Sequence, residues 1–210
     1  MNSLDQELER RLAALREQGL HRELRRVDSP PGTRIVVAGR SLLNCSSNDY
    51  LGLANEPALK EAARKAVEEF GAGASASRLL CGSLAPHHEL EEILADFKGT
   101  EAALSFSSGY TTALGTIGAL LDAEDVIIID KLAHACLVDA ARLCGAKLRV
   151  FAHNDLNSLE KTLKWADERS RSTQHAARPS RALIVTESVF SMDGDHAPLR
   201  DLVELKDRYG

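Results

Sequence analysis

The sequence predicts an α/β fold, a mostly parallel sheet with helices on both faces, preceded by an N-terminal helical arm. Three observations carry this. From residue 86 onward short apolar runs alternate with amphipathic ones; such runs read as strands buried on both faces and joined by covering helices. Leu4, Leu8, Leu12 and Leu15 fall at i, i+4, i+8 and i+11, one face of a helix whose other side is Glu and Arg. Backbone breakers separate the runs, first at Pro30, Pro31 and Gly32 and then at Gly71 and Gly73.

The arm ends near D-S-P-P-G, and two extended pieces follow, R-I-V-V-A and S-L-L-N-C. The stretch N-E-P-A-L-K-E-A-A-R-K-A-V-E-E-F then predicts a helix to Phe70, with Asn55 as its cap and Pro57 in its first turn. Beyond residue 86 the alternation runs as follows: helix at H-H-E-L-E-E-I-L-A-D-F, strand at A-A-L-S-F, helix from Tyr110, strand at V-I-I-I-D, helix at A-C-L-V-D-A-A-R-L. It continues with strand L-R-V-F-A, helix L-N-S-L-E-K-T-L-K-W-A-D, strand A-L-I-V-T-E and helix P-L-R-D-L-V-E-L-K-D. The polar tract R-S-R-S-T-Q-H-A-A-R-P-S-R is expected to be a surface excursion between a helix and a strand. At K-D-R-Y-G a helix ends on Gly210 where the alternation calls for another strand, so the sequence is expected to stop within a domain.

Composition narrows the function classes. With 44% apolar and 27% charged residues the 210-residue chain is expected to be a soluble globular protein, and a net charge of -5 with scattered basic residues argues against nucleic acid or an anionic membrane as partner. The start M-N-S-L-D-Q-E-L-E-R-R-L has acids and no apolar h-region, unlike a signal peptide. No apolar stretch approaches the ~20 residues of a membrane span. Cys45, Cys81, Cys136 and Cys144 form no C-x-x-C pair, which fits reduced thiols in a cytoplasmic protein, filling the role of small buried apolar residues.

In an open parallel sheet ligands sit outside the carboxyl ends of the strands, so the residues after each strand are the candidates. These are Ser107, Ser108, Gly109 and Tyr110 after A-A-L-S-F; Asp130, Lys131 and His134 after V-I-I-I-D; and Glu187, Ser188, Phe190, Ser191 and the turn M-D-G-D after A-L-I-V-T-E. In S-S-G-Y, small hydroxyl residues and one glycine open a helix whose first N–H groups suit an anion; Ser107 or Ser108 as a plain N-cap is the simpler alternative. His134 opens the next helix, either as a capping or surface imidazole or as a ring laid flat against a planar ligand. Glu187 ends an apolar strand and requires a hydrogen-bonding partner. D-G-D at 193–195 is too short for a calcium loop and reads as a tight turn, so no metal is expected. G-A-G-A-S-A-S-R at 71–78 follows a helix rather than a strand, which excludes a dinucleotide fingerprint, and no Walker lysine motif occurs.

Five segments together resemble a known family: S-N-D-Y-L-G-L (47–53), S-S-G-Y (107–110), L-A-H-A-C-L (132–137), F-A-H-N-D (151–155) and T-E-S-V-F-S-M-D-G-D-H-A-P-L (186–199). They are similar to the α-oxoamine synthases, pyridoxal 5'-phosphate (PLP) enzymes of the fold-type I aminotransferase superfamily. The resemblance implies that residues 47–210 belong to the cofactor-binding large domain, that residues 1–46 are a helical arm with short extended segments, and that a small C-terminal domain lies outside the sequence. It implies that Gly109 and Tyr110, helped by Ser108, meet the cofactor phosphate, that His134 stacks on the pyridine ring as the catalytic residue, and that Ser191 lies near the phenolic oxygen. Asn48 and Ser77 would face the substrate, and Arg25 the carboxylate of an acyl substrate.

The wording of S-N-D-Y-L-G-L and M-D-G-D-x-A-P-L points within the family to decarboxylative condensation of L-alanine with a pimeloyl thioester, carried by CoA or an acyl-carrier protein, in biotin biosynthesis. Family members use a lysine and a pyridine-binding Asp that match no position here, so this chain alone is expected to be inactive, and the complete protein is expected to be a homodimer. Lys60, Lys98, Lys131, Lys161 and Lys206 read as solvated surface charges. Two alternatives stay open. One is another member, of the 2-amino-3-ketobutyrate ligase, 5-aminolevulinate synthase or serine palmitoyltransferase type. The other is a lysine-less partner subunit, which would have no need of His134 and Ser191.

Overall fold

The structure is a computed structural model describing residues 3–172 and 178–210. Its residues fall into two compact units, Met1–Leu84 and Ala85–Gly210. In the first, the leucine spacing forms helix α1 (Ser3–Glu17), which has no buried residue. Strands β1 (Arg34–Val37) and β2 (Arg40–Leu43) make an antiparallel hairpin with Val37 opposite Arg40. The two residues between them, Ala38 (φ 50°) and Gly39 (φ 72°), both take the positive φ that a two-residue hairpin turn needs to match strand twist.

Helix α2 (Pro57–Phe70) starts one residue later than the cap expected at Asn55. Proline at the first helical position needs no N–H partner, and it holds the residue before it extended, so Glu56 becomes the cap position. The helix stops at Gly71, whose φ of 81° no β-carbon opposes.

The second unit contains α3 (Ala85–Lys98), α4 (Gly109–Leu120), β3 (Val126–Asp130), α5 (Ala135–Leu143), β4 (Lys147–Phe151), α6 (Leu156–Ser172), β5 (Ala182–Val185) and α7 (Leu199–Tyr209). The three strands form one parallel sheet in the order β4-β3-β5, with Val126 beside Lys147 and Ala182 and Ile129 beside Val150 and Val185. Every residue of β3 is buried, which is why V-I-I-I-D shows no polar alternation. Successive side chains take opposite faces. Val126 and Ile128 pack with Leu159 and Leu163 of α6 and Leu202 and Leu205 of α7, whereas Ile127 and Ile129 pack with Ala113 and Ile117 of α4 and Ala140 and Ala141 of α5. Helices on both faces are thus observed as predicted.

One expected strand is absent: residues 102–106 pair with no strand among the described residues. A strand needs a neighbouring edge to satisfy its backbone. Here the Ser105 N–H and hydroxyl donate instead to the Glu91 carboxylate, at 2.7 and 2.8 Å. The Phe106 ring rests on α4 at Gly115, where a β-carbon would come within 2.7 Å of it. The polar tract also differs, because α6 runs through its first residues to Ser172. Residues 173–177 lie outside the described residues.

Where the tract re-emerges, Arg178 grips the amino end of the sheet. Its guanidinium donates to both oxygens of Asp125, each at 2.7 Å, while the backbone N–H of Arg181 donates at 2.8 Å and its guanidinium at 3.1 Å. Asp125 is fully buried, and Arg178 holds its carboxyl far below the usual carboxylate range. The cysteines are free, but Cys45 and Cys81 are exposed rather than buried, because the segments carrying them pack against little. No helix among the described residues is long and apolar enough to cross a membrane.

Candidate functional site

The first turn of α4 is organised by its own sequence. Ser108, in extended backbone, caps the helix: its hydroxyl accepts the Thr111 N–H at 3.2 Å, and the Thr111 hydroxyl accepts the Ser108 N–H at 3.2 Å. This reciprocal box satisfies two donors and leaves the N–H groups of Gly109 and Tyr110 at the open end of the helix. A β-carbon built on Gly109 meets no atom within 4 Å. The space beside Gly109 is a cavity of about 680 Å³, reached also by Thr112 and Ile117 of α4, His134, and Thr186 and Glu187 just past β5. The volume lies in the range of small-molecule sites.

His134 is the cap of α5, and its Nδ1 accepts the Cys136 N–H at 3.2 Å, with the Cys136 sulfur 3.0 Å away. An Nδ1 that accepts leaves the proton of the neutral ring on Nε2. The His134 backbone N–H donates to the Glu187 carboxylate, which ties the start of α5 to the end of β5. Glu187 therefore has the partner its position demanded. Thr186 presents a buried hydroxyl that has no hydrogen-bond partner among the described residues, and it lines the same cavity.

The structure thus brings Gly109 and His134 together, with Ser108 behind them as a cap rather than a free hydroxyl. Tyr110 is half exposed, and its hydroxyl reaches Asp139 of α5 at 3.4 Å. Ser191 is exposed in the turn after β5 and does not line the cavity. Arg25, Asn48 and Ser77 are exposed residues of the first unit. There the Ser77 carbonyl accepts the N–H groups of Leu80 and Gly82, and a β-carbon on Gly82 would strike the Ala76 carbonyl oxygen at 1.9 Å. Lys60, Lys98, Lys131, Lys161 and Lys206 are all exposed, as their surface reading required.

Sequence reasoning missed a second constellation at the carboxyl end of the sheet. His153 lies between two carboxylates, Nδ1 at 2.9 Å from Asp130 and Nε2 at 2.7 Å from Asp195. In the sequence F-A-H-N-D stands out only through the family resemblance, and D-G-D only through that resemblance and as a tight turn. The available signal was a histidine just past one predicted strand, L-R-V-F-A, together with an aspartate closing the apolar strand V-I-I-I-D.

Residues 40–210 match the aminotransferase class I and II family. The chain belongs to that family. Among curated relatives, an 8-amino-7-oxononanoate synthase from Geobacter sulfurreducens is 50% identical over 95% of this chain and 48% of its own length. Another of that name from Coprothermobacter proteolyticus is 45% identical over 97% of this chain and 50% of its own. The chain spans about half the length of the curated relatives it matches.

Solved structures agree in fold. A serine palmitoyltransferase from S. paucimobilis with PLP and myriocin bound superposes with TM-score 0.84 at 29% identity, over 100% of this chain and 51% of that one. An 8-amino-7-oxononanoate synthase from Francisella tularensis superposes with TM-score 0.60 at 27% identity, over 76% of this chain and 41% of that one. The resemblance to α-oxoamine synthases and the α/β architecture with its N-terminal helix are thereby found.

Proposed function

We propose that the complete protein containing this chain is a PLP-dependent α-oxoamine synthase that condenses L-alanine with a pimeloyl thioester to give 8-amino-7-oxononanoate, carbon dioxide and a free thiol. The observation that carries this reading is one cavity bounded by a helix N-terminus open at Gly109 and by the imidazole of His134. These residues fit a planar ring bearing a phosphate. Two first-turn N–H groups without a partner among the described residues, and the positive end of α4, suit a dianion. Ile117 and Val185 supply an apolar wall, and the unpartnered Thr186 hydroxyl supplies a polar contact.

When bound, PLP supplies the electron sink that stabilises an electron pair left at the amino acid's Cα. The chain's own residues hold and orient. Ser108 and Thr111 fix the open end of α4, so the anion-binding donors are set before a ligand arrives. Glu187 and the Cys136 N–H fix His134 from two sides and limit the tilt of any ring packed on it. Gly109, Tyr110 and Ser108 are assigned to the phosphate, His134 to the ring and Ser191 to the phenolic oxygen, with Asn48, Ser77 and Arg25 toward the substrates. This reading assigns no residue of the chain to the roles of the lysine and pyridine-binding aspartate of such enzymes, and the chain alone is expected to yield no product. A cytoplasmic homodimer is the expected state of the complete protein.

The test is product formation by the complete protein with PLP. L-Alanine and pimeloyl-CoA or a pimeloyl-acyl-carrier protein are expected to give ketone and free thiol faster than glycine or L-serine with other acyl thioesters. Preference for L-serine with a long-chain acyl thioester would move the protein to the serine palmitoyltransferase type, and no turnover with any pair would favour a non-catalytic partner subunit.

A further inference from the structure

The carboxylates around His153 accept hydrogen bonds and cannot donate them, so an imidazole bonded to both Asp130 and Asp195 carries a proton on each nitrogen. Asp130 is buried at the end of β3, and its carboxylate also accepts the N–H of Leu132, on the connection to His134, and the N–H of Asn154. Asn154, with φ at 53°, donates its side-chain amide to Asp195 at 2.9 Å and to the His196 carbonyl. Asp195 closes the turn after β5: its carbonyl accepts the Phe190 N–H at 3.0 Å, and the Phe190 carbonyl accepts the Gly194 N–H at 2.8 Å. The Phe190 ring, itself buried, meets the His153 ring edge-on at 4.5 Å. Ser191 sits inside this turn.

We infer that His153 is a positioning residue, an imidazolium that clamps the turn carrying Ser191 to the end of the central strand. The clamp stands on its own geometry; only the benefit of placing Ser191 rests on the function proposed above. One carboxylate, Asp130, is shared between the approach to His134 and the grip on the Ser191 turn. The two segments assigned to the ring and its phenolic oxygen are therefore fixed against one point.

Asp130 and Asp195 are the ionisable groups bonded to the ring; Lys131, Asp155, Asp193 and His196 on the same segments make no described bond to it. The bonds to the two carboxylates raise the pKa of His153, and His153 lowers that of Asp195. A histidine whose pKa is raised in the folded state contributes its stability below about 6.5 and loses it as pH rises through the raised value. The turn is therefore held most firmly between the acid range in which Asp195 takes up a proton and the raised value at which His153 gives its proton up.

The test uses the complete, ligand-free protein labelled with ¹⁵N-histidine, with His153→Gln assigning the resonance. The ring is expected to titrate above an ordinary histidine and to show both N–H protons. At pH 7, Asp195→Asn is expected to bring that titration down and to raise amide exchange across residues 188–196 about tenfold while residues 109–120 stay unchanged. A ring that titrates as an ordinary histidine, or equal exchange in Asp195→Asn, would overturn the clamp. Failure of the complete protein to bind PLP, with the titration and exchange as expected, would leave the clamp supported and would refute the proposed function instead.

Discussion

The two ends of β3 are held by the same residue type with different partners. Asp125, just before the strand, and Asp130, its last residue, are both buried, and each gathers the segments that follow neighbouring elements. At the amino end the partners are guanidinium groups of Arg178 and Arg181, charged at every pH a folded protein meets. At the carboxyl end the partner is an imidazole whose charge depends on pH. Permanent charge fastens the end of the sheet remote from the cavity. Titratable groups, open backbone donors and an unpartnered hydroxyl gather at the end where a ligand is proposed to sit, where interactions have to form and release.

The largest effect is expected from breaking the amino end. Asp125→Ala leaves Arg178 and the Arg181 N–H without their acceptor, and urea unfolding should show a loss of about 3 kcal/mol, constant from pH 5 to 9. A loss that shrank with rising pH would erase the distinction between the two ends. Asp130→Asn should cost less, about 2 kcal/mol at pH 6, by weakening bonds to His153 and two backbone N–H groups. Its difference from the natural protein should narrow as pH rises, because the natural protein then loses the His153 bridge while the variant has little left to lose. The same unfolding series across pH measures both.

Smaller effects sharpen the boundary of the site. Ser108→Ala removes the cap at the open end of α4 and should cost about 1 kcal/mol in thermal unfolding, without altering the pH dependence that His153 imposes. Tyr110→Phe removes a long, exposed contact to Asp139 and should change stability by less than about 0.5 kcal/mol. A larger loss would mean that the Tyr110 hydroxyl is structural rather than free to meet a ligand.

The sequence made most of the second unit legible because β3 is apolar at every position before its terminal Asp130 and α5, α6 and α7 carry clear helical faces. A-A-L-S-F misled because an apolar run specifies burial, whereas a strand requires a partner edge, and pairing is a property of the whole sheet. Asn55 lost the cap to Glu56 because Pro57 constrains its predecessor more strongly than a side-chain cap attracts. Gly109 and His134 were legible as neighbours because both follow predicted strands. The His153 bridge was not, since its three members are separated by 23 and 42 residues and only the pairing of β3 with both β4 and β5 brings them together.

The most direct test of the central claim compares the affinity of the complete protein for PLP and for pyridoxal, which lacks the phosphate, by absorbance titration of the natural protein and of Gly109→Asp. The account predicts that the natural protein binds PLP at least about tenfold more tightly than pyridoxal and that Gly109→Asp, placing a carboxylate at the open helix end, abolishes the preference. Equal affinity for the two ligands in the natural protein, or a preference undiminished in Gly109→Asp, would contradict it.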